Sequence, residues 1–310
     1  KRKRLMALLP GKRGGGSALG LVKSLTVRPR RVNLQDASSP WLAPFTPPIG
    51  HRPAHEPIRP FGPMLVTAAI LALVTVTSFI SGLFGVAGGI VLMGGLIYVL
   101  PVPQAMVLHG VAQIVSNVAR VVIWRRYILL PTVLRFIAAS LVAAGIFALI
   151  RFVPSKPILL LILGLSTVAA MLAPEGWVPG ITGRGVAYVC GFVASALQLT
   201  AGVSGTFLDQ FFQRAKLDRR QVVATKAAMQ VVQHGIKVAY FGVVALGPVD
   251  DHFVFLLLAV PAITLITATL ASKLLERMTD ANFNWWTRRI VLVCGTYFTL
   301  DALYLLFVAG

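Results

Sequence analysis

Gly85-Val86-Ala87-Gly88 and Gly202-Val203-Ser204-Gly205 stand 117 residues apart, each inside a long apolar run. Two Gly-interrupted spans in corresponding positions point to a duplicated membrane protein whose ligand site lies at the breaks. The register holds well past the glycines. Gln104 falls on Gln221, Gln113 on Gln230, Val115 on Val232, Arg120 on Lys237 and Val121 on Val238.

The polar pattern carries the correspondence further. In the first copy His109, Gln113, Ser116, Asn117 and Arg120 interrupt an otherwise apolar helix, and in the second Lys226, Gln230, Gln233, His234 and Lys237 do so at the same five offsets. Those offsets are i, i+4, i+7, i+8 and i+11, which at about 100° per residue confine the five side chains to an arc of roughly 100°. Each helix therefore bears one polar stripe. At about 1.5 Å per residue the stripe runs roughly 16 Å, about half the hydrocarbon thickness, so it cannot all be an end effect.

Composition sets the class. The chain is 56% apolar and 13% charged, with apolar stretches near 64–100, 105–124, 132–150, 157–173, 185–213, 221–246, 253–272 and 290–308, the pattern of an integral membrane protein. Such segments must be helical, because hydrocarbon offers the backbone no other hydrogen-bond partner. The expected fold is an all-α polytopic membrane protein of two homologous helical repeats, 63–176 and 183–309, each opening with a Gly-broken or re-entrant segment.

The formal charge of +19 invites a nucleic-acid reading, but its distribution argues against one. Residues 1–62 hold 12 Lys or Arg against 2 acids, and with KRKR, Gly14-Gly15-Gly16, scattered prolines and no apolar periodicity they read as a disordered basic arm. The arm suits anionic headgroups, or it is sequence upstream of a start at Met64, and function is expected to survive its removal. Its apolar piece near Leu5 to Pro10 is too short for a signal peptide. Cys190 and Cys294 lie in apolar runs without CxxC spacing and read as buried free thiols.

Basic residues set the expected orientation. Arg125, Arg126 and Arg135, then Arg214, Lys216, Arg219 and Arg220, then Lys273, Arg277, Arg288 and Arg289 fall on loops of one side, taken as cytoplasmic, while Asp250-Asp251 sits on a loop without Lys or Arg. The Pro101 to Gln104 turn then lies outside and its counterpart, Asp218 to Gln221, inside, which inverts the two halves. Arg151 and Lys156 break the rule. The parity depends on whether each Gly-broken run crosses once, crosses twice or turns back as a hairpin.

The run Ser81-Gly82-Leu83-Phe84-Gly85-Val86-Ala87-Gly88-Gly89, the turn Pro101-Val102-Pro103 and the polar-striped helix from Ala105 resemble the first half of the TauE/SafE sulfite exporter family, and the second copy resembles its second half. The resemblance covers about residues 64–309. It implies a transporter of sulfite, sulfonates or other small organic anions across the cytoplasmic membrane.

The residues agree with an anion. Gly85, Gly88, Gly89, Gly202, Ser204 and Gly205 permit chain breaks with free N–H groups at the positive end of a helix dipole; close helix packing is the alternative use of such glycines. Lys226 and its counterpart His109 are candidate anion ligands, although Lys226 is near enough to Arg220 to snorkel. Lys237 lies deeper, and Arg120 is one turn from Arg125. The amides of Gln113, Asn117, Gln230 and Gln233 can donate N–H to an oxyanion or bond between helices. His109 and His234 can also carry protons, which allows proton coupling.

Carboxylates are scarce within the spans, with Asp209 and Asp301 there and Glu175 and Glu276 in loops. Asp209 is either an ion-pair partner for a stripe cation when no substrate is bound or an interfacial acid near Arg214. No P-loop, Rossmann fingerprint, HExxH or Ser-His-Asp spacing is present, so no cofactor, metal or catalytic residue is expected. The leading expectation is a secondary carrier rather than an enzyme. A passive anion channel and a membrane-embedded enzyme acting on a phosphorylated or sulfur-bearing substrate are the alternatives.

Overall fold

A computed structural model describes residues 62–84, 86–174, 177–275 and 280–308. The basic arm before Gly62, Gly85, Glu175 and Glu276 lie outside the described residues. Among those described, every regular element is helical. The ten α-helices are α1 (Pro63–Phe84), α2 (Val86–Val99), α3 (Val102–Trp124), α4 (Leu130–Ile150), α5 (Lys156–Leu172), α6 (Val186–Ala201), α7 (Gly205–Gln213), α8 (Arg219–Val244), α9 (Asp251–Leu275) and α10 (Asp280–Phe307). A short 3-10 turn over Arg125–Tyr127 follows α3.

Five segments, Met64–Leu83, Val102–Tyr127, Leu130–Ile150, Asp251–Ala271 and Trp285–Phe307, are long and apolar enough to cross a bilayer. Three further apolar helices, α2, α5 and α6, are shorter. Helix α8 has the length to cross, but the polar stripe makes it less apolar than the other long helices. Large apolar side chains such as Leu141, Val189, Leu258 and Leu300 face outward, as lipid contact requires and water would not favour.

The elements start and stop for local reasons. Proline occupies the first turn of α3, α4 and α5, where its missing N–H removes a donor that has no intrahelical partner in any case. Asp218 and Gln221 form a reciprocal capping box at the start of α8, satisfying two such donors. Helix α6 stops at Gly202, which adopts φ 77°, a left-handed conformation that side-chain-bearing residues resist.

Both Gly-broken runs turn back on themselves. Val66 and Thr67 of α1 border the same small cavity as Leu100 and Gln104, which flank the end of α2, and a Cβ on Gly88 would lie 2.3 Å from the backbone nitrogen of Ser81. In the second run the Ile181 N–H donates to Phe211 O at 2.9 Å, closing α6 and α7 into a second hairpin. Each break therefore joins an antiparallel helix pair, which rules out a single straight crossing. Helices α3 and α8 run antiparallel: Arg220 at the start of α8 donates to the Tyr127 hydroxyl at 2.9 Å beyond the end of α3, while Gly110, nearer the start of α3, lies against Val238 and Lys237. The Pro101 turn and the Arg220 turn consequently lie at opposite ends of the bundle.

Helix pairing is α3 with α8, α5 with α10, α1 with α9 and α4 with α6. Lys156, on the face that disobeys the charge rule, sits 4.4 Å from the centroid of the Tyr98 ring, and the Tyr98 hydroxyl donates to Asp301 at 2.6 Å. The basic exception is thus held beside a carboxylate and an aromatic face. Cys190 is buried and Cys294 partly so, both free thiols.

Gly191 sets the spacing of α4 and α6, since an added Cβ would lie 2.4 Å from the Phe136 carbonyl oxygen, whereas one on Gly145 of α4 meets nothing within 4 Å. Gly191→Ala is expected to destabilise the protein by about 1–3 kcal/mol through overpacking, and Gly145→Ala to leave it unchanged or slightly more stable. Thermal unfolding of both variants in detergent checks this.

Candidate functional site at the helix breaks

The second break builds the site. Helix α7 resumes at Gly205 with Ser204 in the capping position, yet the Ser204 side chain does not cap the helix. Its hydroxyl instead contacts Gln198 Oε1 at 2.9 Å and Gln233 Oε1 at 2.8 Å, one proton serving two amide oxygens. The first-turn N–H groups of α7 have no intrahelical acceptor, and Ser204, Gly205 and Thr206 are buried. The result is an uncapped helix N-terminus inside the protein.

Lys237 is 0% exposed. Its Nζ donates to Gly202 O at 2.9 Å and contacts His109 Nδ1 at 2.6 Å. On the far side of the imidazole, His109 Nε2 lies 3.0 Å from Gly89 O. A carbonyl oxygen only accepts, so Nε2 carries the proton and Nδ1 is left to accept from Lys237. The Gln198 amide nitrogen contacts both Gly202 O at 3.1 Å and His234 Nδ1 at 3.0 Å, and the His109 and His234 rings are 5.5 Å apart. One buried network thus joins Gly89, His109, Gln198, Gly202, Ser204, Gln233, His234 and Lys237, drawn from α2, α3, α6, α8 and the break itself.

The two half-helices converge on this network. A Cβ on Gly205 would lie 2.8 Å from Val86 Cγ1 and 3.1 Å from Gln230 Nε2, so the first residue of α2 touches the first residue of α7. On the α2 side a Cβ on Gly89 would meet the Gln113 side chain at 3.4 Å. Gln113 and Gln230, equivalent in the sequence register, each lie beside the first turn of a half-helix. Gly202 rests on Met93 and Met106, whose sulfurs would lie 2.7 and 3.0 Å from an added Cβ. Among the described residues four buried polar side-chain atoms have no partner, Ser116 Oγ, Ser195 Oγ, Gln233 Nε2 and, on α10, Thr287 Oγ1.

Other stripe residues lie apart from the network. Asn117 donates to Gln113 O at 2.9 Å and accepts from Arg120 at 3.1 Å. Arg120 also reaches Ser81 O at 3.4 Å, turning toward α1 rather than out to the interface. Lys226 pairs with Asp209 of α7, both partly exposed. Of the two uses foreseen for Asp209, the ion pair with a stripe cation is the one present. Gly88 packs against the backbone of α1 at Thr77 and Ser81.

The sequence did not single out Gln198, Met93 or Met106. Gln198 had a readable signal, an amide four residues before Gly202 in an apolar run. The two methionines had none, since they are indistinguishable from core residues until the break is seated on them.

A family model described as sulfite exporter TauE/SafE matches residues 70–298. The chain belongs to the TauE/SafE family. The match runs from α1 into α10 and includes both breaks and every member of the buried network. With its apolar helices, family membership makes this a multi-pass membrane protein of a transporter family. No curated protein and no solved structure matches the chain.

Two outcomes test this arrangement in the TauE/SafE chain. Gly202→Ala combines a left-handed backbone, worth roughly 1 kcal/mol, with contact against two methionine sulfurs, and should lower the unfolding temperature in detergent. Asp209→Asn alone strands the Lys226 charge, so it should destabilise more than Asp209→Asn combined with Lys226→Gln, as a double-mutant cycle would read out.

Proposed function

We propose that the protein is a secondary carrier for a small oxyanion, sulfite or an organosulfonate, moving it across the cytoplasmic membrane by alternating access. The observation that carries this reading is the meeting of the α2 and α7 N-termini beside the buried Lys237. Each half-helix begins with positive dipole character, neither has an acid in its first turn, and an oxyanion offers the acceptors that uncapped N–H groups and Gln233 Nε2 lack. In this reading Gly89, Gly202, Ser204 and Gly205 shape the cradle, and Gly88 holds α2 close against α1. Lys237 and His109 supply charge or proton, and Gln113, Gln230, Gln233, Asn117 and His234 supply neutral donors and position them. Lys226 belongs to the path toward the Arg220 end, where an arriving anion competes with Asp209 for it.

Two repeats, 63–176 and 183–309, inverted about an axis in the membrane plane, suit this function. Exchanging α1 with α6, α2 with α7, α3 with α8, α4 with α9 and α5 with α10 maps the α3–α8 and α5–α10 pairs onto themselves and swaps α1–α9 with α4–α6. The antiparallel course of α3 and α8 supports inversion. The richer basic loops at the Arg220 end support a cytoplasmic location for it. The His109–Lys237 contact supports proton coupling, because gaining a proton on either group adds a positive charge at the anion's position and losing one removes it.

Purified protein in liposomes should take up labelled sulfite saturably, with small sulfonates competing better than sulfate or simple carboxylates, and a proton gradient should change the rate. Lys237→Gln should abolish uptake while the protein stays folded. Normal flux in that variant contradicts the site, and no saturable uptake of any of these anions by folded wild-type protein contradicts the function.

A further inference from the structure

On the lipid side of α4 and α6 an outward-open apolar groove of about 450 Å³ runs between Ala138, Ala139 and Val142 on one wall and Tyr188, Val189 and Phe192 on the other. Both walls begin at the Arg220 end of the bundle. The Leu129 N–H, just ahead of α4, donates to Thr225 near the start of α8 at 3.1 Å, and the segment before α6 is tied to the end of α7 through Ile181 and Phe211. At that end an arginine precedes the lining residues of each wall. Arg135 stands three, four and seven residues ahead of Ala138, Ala139 and Val142, hence on the same helical face. Arg184 precedes Tyr188 by four residues and is exposed.

Helical side chains lean toward the helix N-terminus, so Arg135 extends toward the mouth and the headgroup level, with its stem along the apolar wall. Among the described residues no hydrogen bond or ion pair engages Arg135 or Arg184. Neighbouring sequence cannot neutralise them: residues 128–208 contain Glu175 as their only acid, against Arg135, Arg151, Lys156 and Arg184. Two unpaired guanidinium groups above a lipid-facing apolar slot match the two ends of one molecule.

We infer that this groove is a binding site for an anionic phospholipid, its phosphate held by Arg135 and Arg184 and one acyl chain lying between α4 and α6. Charge decides against a second copy of the chain as the occupant, since a two-fold contact through this face would set the arginines of one copy against those of the other, with no acid among the groove's lining residues to pair them. The small Ala138 and Ala139 make the slot deep enough for a chain, and Tyr188 near the mouth suits the interface. The site lies on the lipid face of α4 and α6 and is separate from the buried network at the breaks.

The test is native mass spectrometry of the full chain released from membranes mixed from phosphatidylglycerol and phosphatidylcholine. Wild type should retain phosphatidylglycerol in preference to phosphatidylcholine, and excess glycerol phosphate, which lacks chains, should not displace it. A basic residue at headgroup level contributes roughly fivefold to anionic-lipid binding, so Arg135→Gln with Arg184→Gln should lower retention about twenty-fivefold. Ala138→Leu, which keeps the charges but fills the slot, should lower it too and guards against misfolding of the double variant. Equal retention of the two lipids, unchanged retention in both variants, displacement by glycerol phosphate, or a dimer mass in place of the lipid adduct would each overturn the inference.

Discussion

A helix broken inside a bilayer leaves backbone N–H and C=O groups that hydrocarbon cannot satisfy, and the structure depends on how that debt is met at Gly202. The carbonyl released there is taken by Lys237 Nζ and the Gln198 amide. A lysine at this depth is itself expensive unless it is partnered. Its partners are the freed carbonyl and the His109 ring, so the break and the buried cation stabilise one another. Removing either costs the other one of its two partners.

The N-H side of the break is treated differently. Ser204, the residue placed to cap α7, spends its hydroxyl on Gln198 and Gln233, and the helix start is left uncapped beside α2. A stability-optimised break would cap both sides. One side satisfied by the protein and the other left open is the arrangement expected of a site that completes itself with a ligand rich in acceptors. The proposed oxyanion substrate rests on the TauE/SafE membership and on this asymmetry together.

Much of this was legible in the residues because membrane depth exaggerates polarity. Five polar side chains at common offsets in two apolar helices cannot be hidden, and where α3 meets α8 His109 lies against Lys237 and His234. Gly202 was legible as a break because few residues besides glycine take its backbone angle. The hairpin course of α1–α2 and α6–α7 was not legible, since hydropathy reports length and apolarity but not direction. The separation of Lys226 from Lys237 was also hidden. Both lie on one stripe, yet the eleven-residue interval puts one beside Asp209 in the middle of α7 and the other at the Gly202 carbonyl just ahead of that helix, and only the placement of α7 reveals the difference. Gln198 was missed because a single amide in an apolar run acquires meaning only when its four-residue distance to the break is matched by a hydrogen bond.

The claim at the centre of this account is that an oxyanion sits where the two half-helices meet. Crystallographic location of bound selenite, the selenium analogue of sulfite, by its anomalous scattering tests that claim most directly. The account predicts one peak between the first turns of α2 and α7, within hydrogen-bond reach of the α7 backbone and Lys237, that disappears when sulfite is added in excess. A sulfite-displaceable peak at the Lys226–Asp209 end alone, or no displaceable peak in protein that binds sulfite, would contradict it.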